Sequence, residues 1–308
     1  MNYMDNILVV GSYAVAMFIK TPRMPIFGET LIGSDFFMGP GGKGSNQAIA
    51  ISRLGGKVSF ICFVGNDALG DEAFNLFKKE KINTKLIKKT KKSTGVGFVI
   101  LNDDGENGII LDMGSNNELD LDYLNEIKEE IPKYNFVLSG FEIPFKTALY
   151  SLKLSKQNGS VTILNPAPAI NLVNEDLSFI DYVTPNESEL RICLGMRPDA
   201  QNSNSELAEK LFRNGINNLV VTEGEKGCLI INNDINEHVP GVKVDVVDTT
   251  GAGDAFNAGL TVALSEGKNI IESLKFANCC GAFTCTKAGV VNTLAYRHEI
   301  DLLYNDNY

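Results

Sequence analysis

The sequence predicts an α/β fold: a three-layer αβα sandwich around a mostly parallel sheet, with a small antiparallel β lid. Three observations predict it. Short apolar runs alternate with amphipathic ones along most of the chain, the pattern of βαβ units whose helices cover both faces of a parallel sheet. Two stretches, 12–38 and 95–113, break that alternation with strands and glycine-rich turns and no intervening helix. The length of 308 residues suits one large domain with an appendage better than two equal domains. Residues 1–308 therefore read as a single domain, with lid strands contributed by about 12–38 and 95–113.

Ile7-Leu8-Val9-Val10 marks the first strand, near 6–11. After the first lid insertion, Gln47 to Leu54 carries the helical period of a helix near 43–55, and a strand near 58–64 and a helix near 69–80 follow. The second insertion reads as a hairpin: Gly95 to Leu101 and Gly108 to Leu111 flank Asn102-Asp103-Asp104-Gly105, with Asp104-Gly105 in the turn. Strands then fall near 134–138, 160–164, 181–183, 217–222 and 227–231, with helices near 145–157, 203–214, 253–265 and 270–286.

A formal net charge of −10 argues against a nucleic-acid partner, because binding that backbone needs clustered Lys and Arg. The dense basic run Lys88, Lys89, Lys91 and Lys92 reads as a solvated surface loop. Six cysteines, Cys62, Cys193, Cys228, Cys279, Cys280 and Cys285, lie mostly in apolar stretches without a Cys-x-x-Cys pair. That indicates neither zinc nor a disulfide framework, and suits a reducing compartment. The N-terminus runs directly into the first strand behind acidic Asp5, and no apolar stretch reaches membrane-spanning length. A cytoplasmic protein with no membrane partner is expected.

Asp248-Thr249-Thr250-Gly251-Ala252-Gly253-Asp254 ends in a carboxylate where glycine gives way to the apolar period of Ala255, Phe256, Ala258 and Leu260. Glycine permits close backbone approach, and the first helical turn leaves amides without intrahelical partners, so an anion can sit beside the acid. The same pattern reads equally as an ordinary helix start with an Asp cap. A second cluster, Gly39-Pro40-Gly41-Gly42-Lys43-Gly44-Ser45-Asn46, also precedes a helix. It is not a Walker A loop: Gly44 follows Lys43 where a hydroxyl would hold magnesium, and Phe37 takes the leading glycine position. Gly39, Gly41 and Gly44 do satisfy Gly-x-Gly-x-x-Gly, which keeps a dinucleotide oxidoreductase open. Against it, Ile32 to Met38 is too polar and glycine-broken for a buried parallel strand. Asp67, near the distance at which such a site needs its acid, lies in a Gly65-Asn66-Asp67 turn, and His238 and His298 sit in charged, surface-like sequence.

Together the two clusters resemble the two signatures of the ribokinase family of carbohydrate kinases. Ser93-Thr94-Gly95, Gly114-Ser115-Asn116, Glu142, Asn165-Pro166-Ala167-Pro168, Thr184 to Glu187 with Glu189, and Thr222 to Gly227 extend the resemblance over essentially the whole chain. It implies ATP-dependent phosphorylation of a primary hydroxyl on a sugar or sugar-like molecule. Asp254 would be the base; a helix start favours its ionised form, so it would be a weak base that accepts the proton late. The amides of Gly251, Ala252 and Gly253 would form the anion hole. Gly42, Lys43, Asn46 and Glu142 would bind the sugar with Asp254. Asn186, Thr222, Gly224, Gly227, Gly253 and Asn278 would face ATP. Asn186 and Glu189, three apart on one helix face, would hold Mg2+ through water, or else form a capping box. A monovalent cation, usually K+, would take oxygens of Asp248, Thr250, Thr284, Lys287, Gly289 and Thr293. The lids would pair in a homodimer. A non-catalytic sugar-sensing relative would show damage at the base or anion hole, and none is visible.

The acceptor is where the chain departs from this family. Ribose-specific members follow the first strand with Gly-Ser-x-Asn-x-Asp, whose Asn and Asp bind sugar hydroxyls; here the stretch is Gly11-Ser12-Tyr13-Ala14-Val15-Ala16. A sugar that must bury unpaired hydroxyls there is disfavoured. The expected substrate is less hydroxylated than ribose at that end: a deoxysugar, a nucleoside or another modified carbohydrate. Alternatively Tyr13 or a lid residue replaces the lost contacts and ribose remains the substrate.

Overall fold

The computed structural model describes residues 6–102 and 107–308. β1 (Asn6–Val10) leads into β2 (Ala14–Lys20) and β3 (Ser34–Gly41), then α1 (Lys43–Arg53), β4 (Lys57–Ile61), β5 (Phe63–Gly65) and α2 (Ala68–Lys79). β6 (Lys88–Thr90), β7 (Gly95–Leu101), β8 (Asn107–Asp112), α3 (Leu121–Glu126), β9 (Phe136–Gly140), α4 (Phe145–Gln157), β10 (Val161–Asn165) and β11 (Tyr182–Val183) follow. The chain continues through α5 (Glu187–Cys193), α6 (Asn204–Phe212), β12 (Asn218–Thr222), β13 (Gly227–Ile231), β14 (Asn236–Pro240), α7 (Ala252–Ser265), α8 (Ile270–Thr284) and α9 (Arg297–Asn307).

Among the described residues, eight strands form the central sheet in the order β14-β13-β12-β11-β10-β9-β1-β4. The pairs from β12 to β4 are parallel, and β13 and β14 add an antiparallel edge. β1 explains the three layers. Ile7 and Val9 join a core with Ala48 and Ile51 of α1 and Ala258 and Val262 of α7. Leu8 and Val10 point the other way, into a core with Leu152 of α4, Leu190 of α5 and Leu211 of α6. All four strand residues are fully buried, each contributing about 1.5–3 kcal/mol of transfer free energy. With both faces occupied, the carboxyl ends of the parallel strands are left to build a site.

A second sheet, ordered β3-β2-β7-β8, forms the lid. β2 with β3 and β7 with β8 are antiparallel, as the glycine-rich turns predict, while β2 and β7 meet in parallel because each leaves the domain in the same direction. Its root is pinned by Asn116, which accepts from Tyr13 N at 3.0 Å and donates to Tyr13 O at 2.8 Å. The Asp104-Gly105 turn lies outside the described residues.

Several expectations are revised. Lys88–Thr90 is not a free loop: it pairs parallel with β5, Lys88 lies over the Phe63 and Tyr123 rings, and Lys89 bonds Asp71. Long lysine stems cover apolar surface while their charges stay wet, so a basic run can also be an edge strand. β14 is exposed except at Val239, and α9 has only Ile300 buried, so neither carries a clear apolar period. The Gly-x-Gly-x-x-Gly match fails as a dinucleotide fingerprint because the strand before Gly42 belongs to the lid, not the parallel sheet. Asp67 caps α2 and binds Thr94 through its backbone N–H and hydroxyl.

Candidate active site

The loops after β1, β9, β10, β11 and β12 and the starts of α1 and α7 converge at the carboxyl edge of the sheet. Two glycines make the convergence possible. Gly42, the residue before α1, has φ 89°, and a Cβ there would lie 2.9 Å from Tyr13 Cα. Gly251, before α7, has φ 83°, a left-handed conformation that other residues adopt only with strain.

At the start of α1, Glu142 Oε2 accepts from Ser12 Oγ at 2.5 Å and from Lys43 N at 2.7 Å. One turn on, Asn46 Nδ2 donates to Asp254 Oδ2 at 2.8 Å, and Gln47 Nε2 donates to Asp254 Oδ1 at 3.3 Å. Asn46 Oδ1 is buried with no partner. Four of the predicted sugar residues, Lys43, Asn46, Glu142 and Asp254, are thus brought together with Gly42 beside them. Burial pushes the Asp254 carboxyl up to about 6, against the Lys43 charge and the Asn46 hydrogen bond, which pull it down. The expectation that the helix start favours the ionised form is revised: removal from water outweighs it. The Asp254 charge in turn raises the Lys43 ammonium above its ordinary value, burial opposing, with Glu142 and Glu189 adding to the rise. Burial likewise raises Glu189.

Behind the carboxylate runs a chain that sequence reasoning missed. Gln47 Nε2 also donates to Asn165 Oδ1 at 3.2 Å, Asn165 Nδ2 donates to Thr184 O at 3.3 Å, and Thr184 Oγ donates to Asn257 Oδ1 at 2.6 Å. Asn257 Nδ2 closes on Gly253 O at 2.8 Å. Asn165 and Thr184 stood inside quoted motifs and Gln47 at the head of a helical period, but nothing local assigns them partners.

Across Asp254, a cleft of about 960 Å³ opens. All six residues expected to face ATP, Asn186, Thr222, Gly224, Gly227, Gly253 and Asn278, line it. Asn278 Nδ2 also donates to Pro240 O at 3.0 Å, fixing the end of β14. The apolar wall from Val242, Val244 and Phe256 was not foreseen. A Cβ at Gly253 would meet nothing within 4 Å, so that backbone borders open space. Of the three amides expected to form an anion hole, that of Ala252 turns back onto Thr249 O at 3.2 Å. Gly251 and Gly253 stand at the start of α7, where the first amides have no intrahelical acceptor.

Asp248, Thr250 and Gly289 also come together. Asp248 Oδ1 accepts from Thr250 N at 2.9 Å and Thr250 Oγ at 2.7 Å, and Oδ2 accepts from Gly289 N at 3.1 Å. Burial works against this carboxylate, yet those hydrogen bonds more than offset it and lower its pKa. Thr293 Oγ donates to Val290 O at 2.7 Å and Thr284 Oγ to Cys280 O at 3.0 Å, while the Lys287 ammonium lies 5.0 Å from the Phe283 ring centroid. Asn186 and Glu189 form the capping box: Asn186 Oδ1 accepts from Glu189 N and Glu189 Oε2 from Asn186 N, both at 2.8 Å. No group of three His, Cys, Asp or Glu side chains suited to a metal occurs among the described residues.

A carboxylate at a glycine-rich helix start, between a polar cluster and a large cleft, is compatible with phosphoryl transfer to a small hydroxylated molecule. The sequence profile of the pfkB family carbohydrate kinases matches residues 4–295. The chain belongs to that family. Ribokinase of Haemophilus influenzae is 34% identical over 295 residues, 96% of this chain and 96% of that protein. Deoxyribokinase of Salmonella typhi is 34% identical over 288 residues, covering 92% and 94%. The structure of Arabidopsis thaliana ribokinase complexed with ribose and ATP superimposes with a TM-score of 0.87 at 28% identity, over 97% of this chain and 98% of that one. The protein is a pfkB carbohydrate kinase, with the α/β architecture and lid of ribokinases. No described helix is long and apolar enough to cross a membrane.

Proposed function

We propose that the protein transfers the γ-phosphoryl group of ATP to a primary hydroxyl of a carbohydrate less hydroxylated than ribose. The observation that carries the reading is the placement of Asp254, hydrogen-bonded by Asn46 and Gln47 on one side and adjoining the Gly253 border of the cleft on the other. Asp254 takes the proton as the hydroxyl attacks phosphorus, and a carboxylate near pKa 6 is suited to that at neutral pH. The orphaned Asn46 Oδ1 awaits a donor, which an acceptor hydroxyl supplies. The Gly251 and Gly253 amides face charge building on the transferring oxygens. Asn186 and Glu189 would hold Mg2+ through water, and Asp248 with the oxygens of Thr250, Thr284, Lys287, Gly289 and Thr293 would hold K+. Bound there, the cations would neutralise phosphate charge and steady the loop before α7.

The acceptor class follows from the lid. Ala14 pairs with Gly41 and Gly95, and Ala16 with Gly39 and Gly97, so one lid face carries nothing larger than a methyl group across three strands. Beyond it Phe18 stacks on Phe37, centroids 4.4 Å apart. Tyr13 does not replace the missing polar pair: it is 2% exposed, with its ring edge-on to Phe77 in the core. Such a floor offers no partner to a hydroxyl and favours a deoxysugar, the class named in one relative, or the flat base of a nucleoside. On the opposite face Met38, Met17, Phe98 and Ile110 form a row across all four strands, with Met38, Phe98 and Ile110 about half exposed. A second copy covers this row in a homodimer, and a monomer by light scattering at micromolar concentration would count against that. The substrate is tested by an ADP-release screen over pentoses, deoxypentoses, hexoses and nucleosides. Ribose as the best acceptor would overturn this assignment.

A further inference from the structure

We propose that Gln47 is a positioning residue that fixes the plane of the Asp254 carboxylate and couples it to the backbone of the anion-hole turn through Asn165, Thr184 and Asn257. The inference rests on the phosphoryl-transfer role proposed for Asp254. Its two carboxylate oxygens are held by different kinds of neighbour. Asn46 holds Oδ2 but keeps an unpartnered Oδ1, so its other end is open to an acceptor. Gln47 holds Oδ1 and spends its second N–H on Asn165 at the end of β10, so both of its amide hydrogens are committed inside the protein.

The chain from there returns to where it began. Asn165 donates to the carbonyl of Thr184, whose hydroxyl donates to Asn257, and Asn257 donates to Gly253 O, in the peptide unit immediately before Asp254. Gln47, Asn165, Thr184 and Asn257 are between 1% and 6% exposed. In so dry a setting each bond is strong, and a broken link leaves a buried polar atom unpaired. The ring therefore ties the side chain that takes the proton to the turn that presents amides to the phosphoryl group. The two must keep a fixed separation for in-line attack, since small misplacements cost large factors in rate. Four links, running from α1 through the ends of β10 and β11 to α7, hold that separation from behind the site.

Gln47→Met keeps length and volume and removes both donors. With the best acceptor from the ADP-release screen, kcat is expected to fall about tenfold or more while KM for ATP and acceptor stays within about twofold. The acidic limb of the kcat/KM profile moves to higher pH, because a donor to the carboxylate is lost while Lys43, Glu142 and Glu189, the charged groups around it, are unchanged. Unchanged kcat with an unmoved limb overturns the proposal. So does a loss confined to melting temperature and ATP affinity, which would make Gln47 structural only. If Gln47→Met does not fold, Asn165→Ala tests the link one step back: a smaller fall in kcat with the limb displaced the same way supports it, and wild-type values for both overturn it. Asp254→Asn is assayed in parallel. Full turnover in that variant would remove the base assignment itself, whereas its inactivity beside an unaffected Gln47→Met would remove only the coupling.

Discussion

Asn46 and Asp254 lie 208 positions apart, yet the side-chain amide of one donates to the carboxylate of the other at 2.8 Å. Asn46 also carries the orphaned acceptor that an acceptor hydroxyl would satisfy. Replacing it by Ala is therefore expected to raise KM for the acceptor at least about tenfold while leaving KM for ATP nearly unchanged. Equal effects on both constants in steady-state kinetics would place Asn46 outside the acceptor subsite.

The pH dependence follows from Asp254. Its carboxyl is raised from the usual 3.8 to about 6, so kcat/KM should fall roughly tenfold per unit below that pH as the base becomes protonated. Lys43→Met removes the charge that most opposes the rise, and the limb should move upward. A profile flat between pH 5 and about 7 would contradict the role of Asp254 as base.

The same shift carries a stability consequence. A carboxyl whose folded pKa lies above its unfolded value binds its proton more tightly when folded. The favourable contribution is present at low pH and is lost as pH rises from 3.8 through about 6. At pH 7 the ionised, buried Asp254 destabilises the fold. Asp254→Asn should thus be inactive yet more stable, by on the order of 1–3 kcal/mol in urea unfolding. It should retain ATP binding. A variant less stable than the parent at pH 7 would show that burial of Asp254 is fully compensated.

What could be read in advance divides along a physical line. The sheet and most helices were legible because hydrophobic period is a local property: Ile7 to Val10 and Gln47 to Leu54 each announce their element. The helix start at Gly251, Gly253 and Asp254 was legible for the same reason, glycine and acid lying side by side. The partnerships of Gln47, Asn165, Thr184 and Asn257 were not, because a polar side chain gains its partner only from the fold. The ionisation of Asp254 was misjudged because sequence shows the helix start but not the depth at which it is buried. Ala14 and Ala16 were visible only as missing side chains, and their glycine neighbours Gly39 and Gly97 became visible only through strand register.

Gly251 and Gly253 should respond differently to the same substitution. A Cβ at Gly251 would lie 3.1 Å from Val290 Cγ1 on a backbone at φ 83°, so Gly251→Ala should lose about 1–3 kcal/mol of stability along with activity. Gly253→Ala has open space for its methyl group and a helical backbone, and should fold normally. Its methyl group enters the space next to the phosphoryl oxygens, and kcat should fall by about a hundredfold. A thermally normal but fully active Gly253→Ala would remove that amide from the anion hole.

The cation assignment turns on Asp248, whose oxygens bind Thr250 and Gly289. Activity should rise with K+ at fixed ionic strength, and Asp248→Ala should abolish that response and lower the maximal rate about tenfold or more. Indifference of the parent enzyme to replacement of K+ by a tetraalkylammonium ion would dispose of the site.

Substrate choice is the sharpest test, because it predicts a gain. Ala14 and Ala16 lie on one lid face opposite Gly41 and Gly39, and a Cβ on Gly41 would still stand 3.8 Å from the Ala16 methyl. Both alanines are partly exposed, and the glycines paired with them on β3 and β7 carry no side chain to compete for a new hydrogen bond. Ribose bound to the parent enzyme must bury hydroxyls without partners, each at a cost of about 1–3 kcal/mol. Ala14→Asn with Ala16→Asp supplies those partners and should raise kcat/KM for ribose about tenfold or more. For the natural acceptor the same pair leaves new polar groups unpaired, so its kcat/KM should fall. The crossover between the two substrates is the decisive reading: a variant that loses both activities has only damaged the lid, and one that gains ribose without losing the other acceptor places Ala14 and Ala16 outside the discriminating contacts.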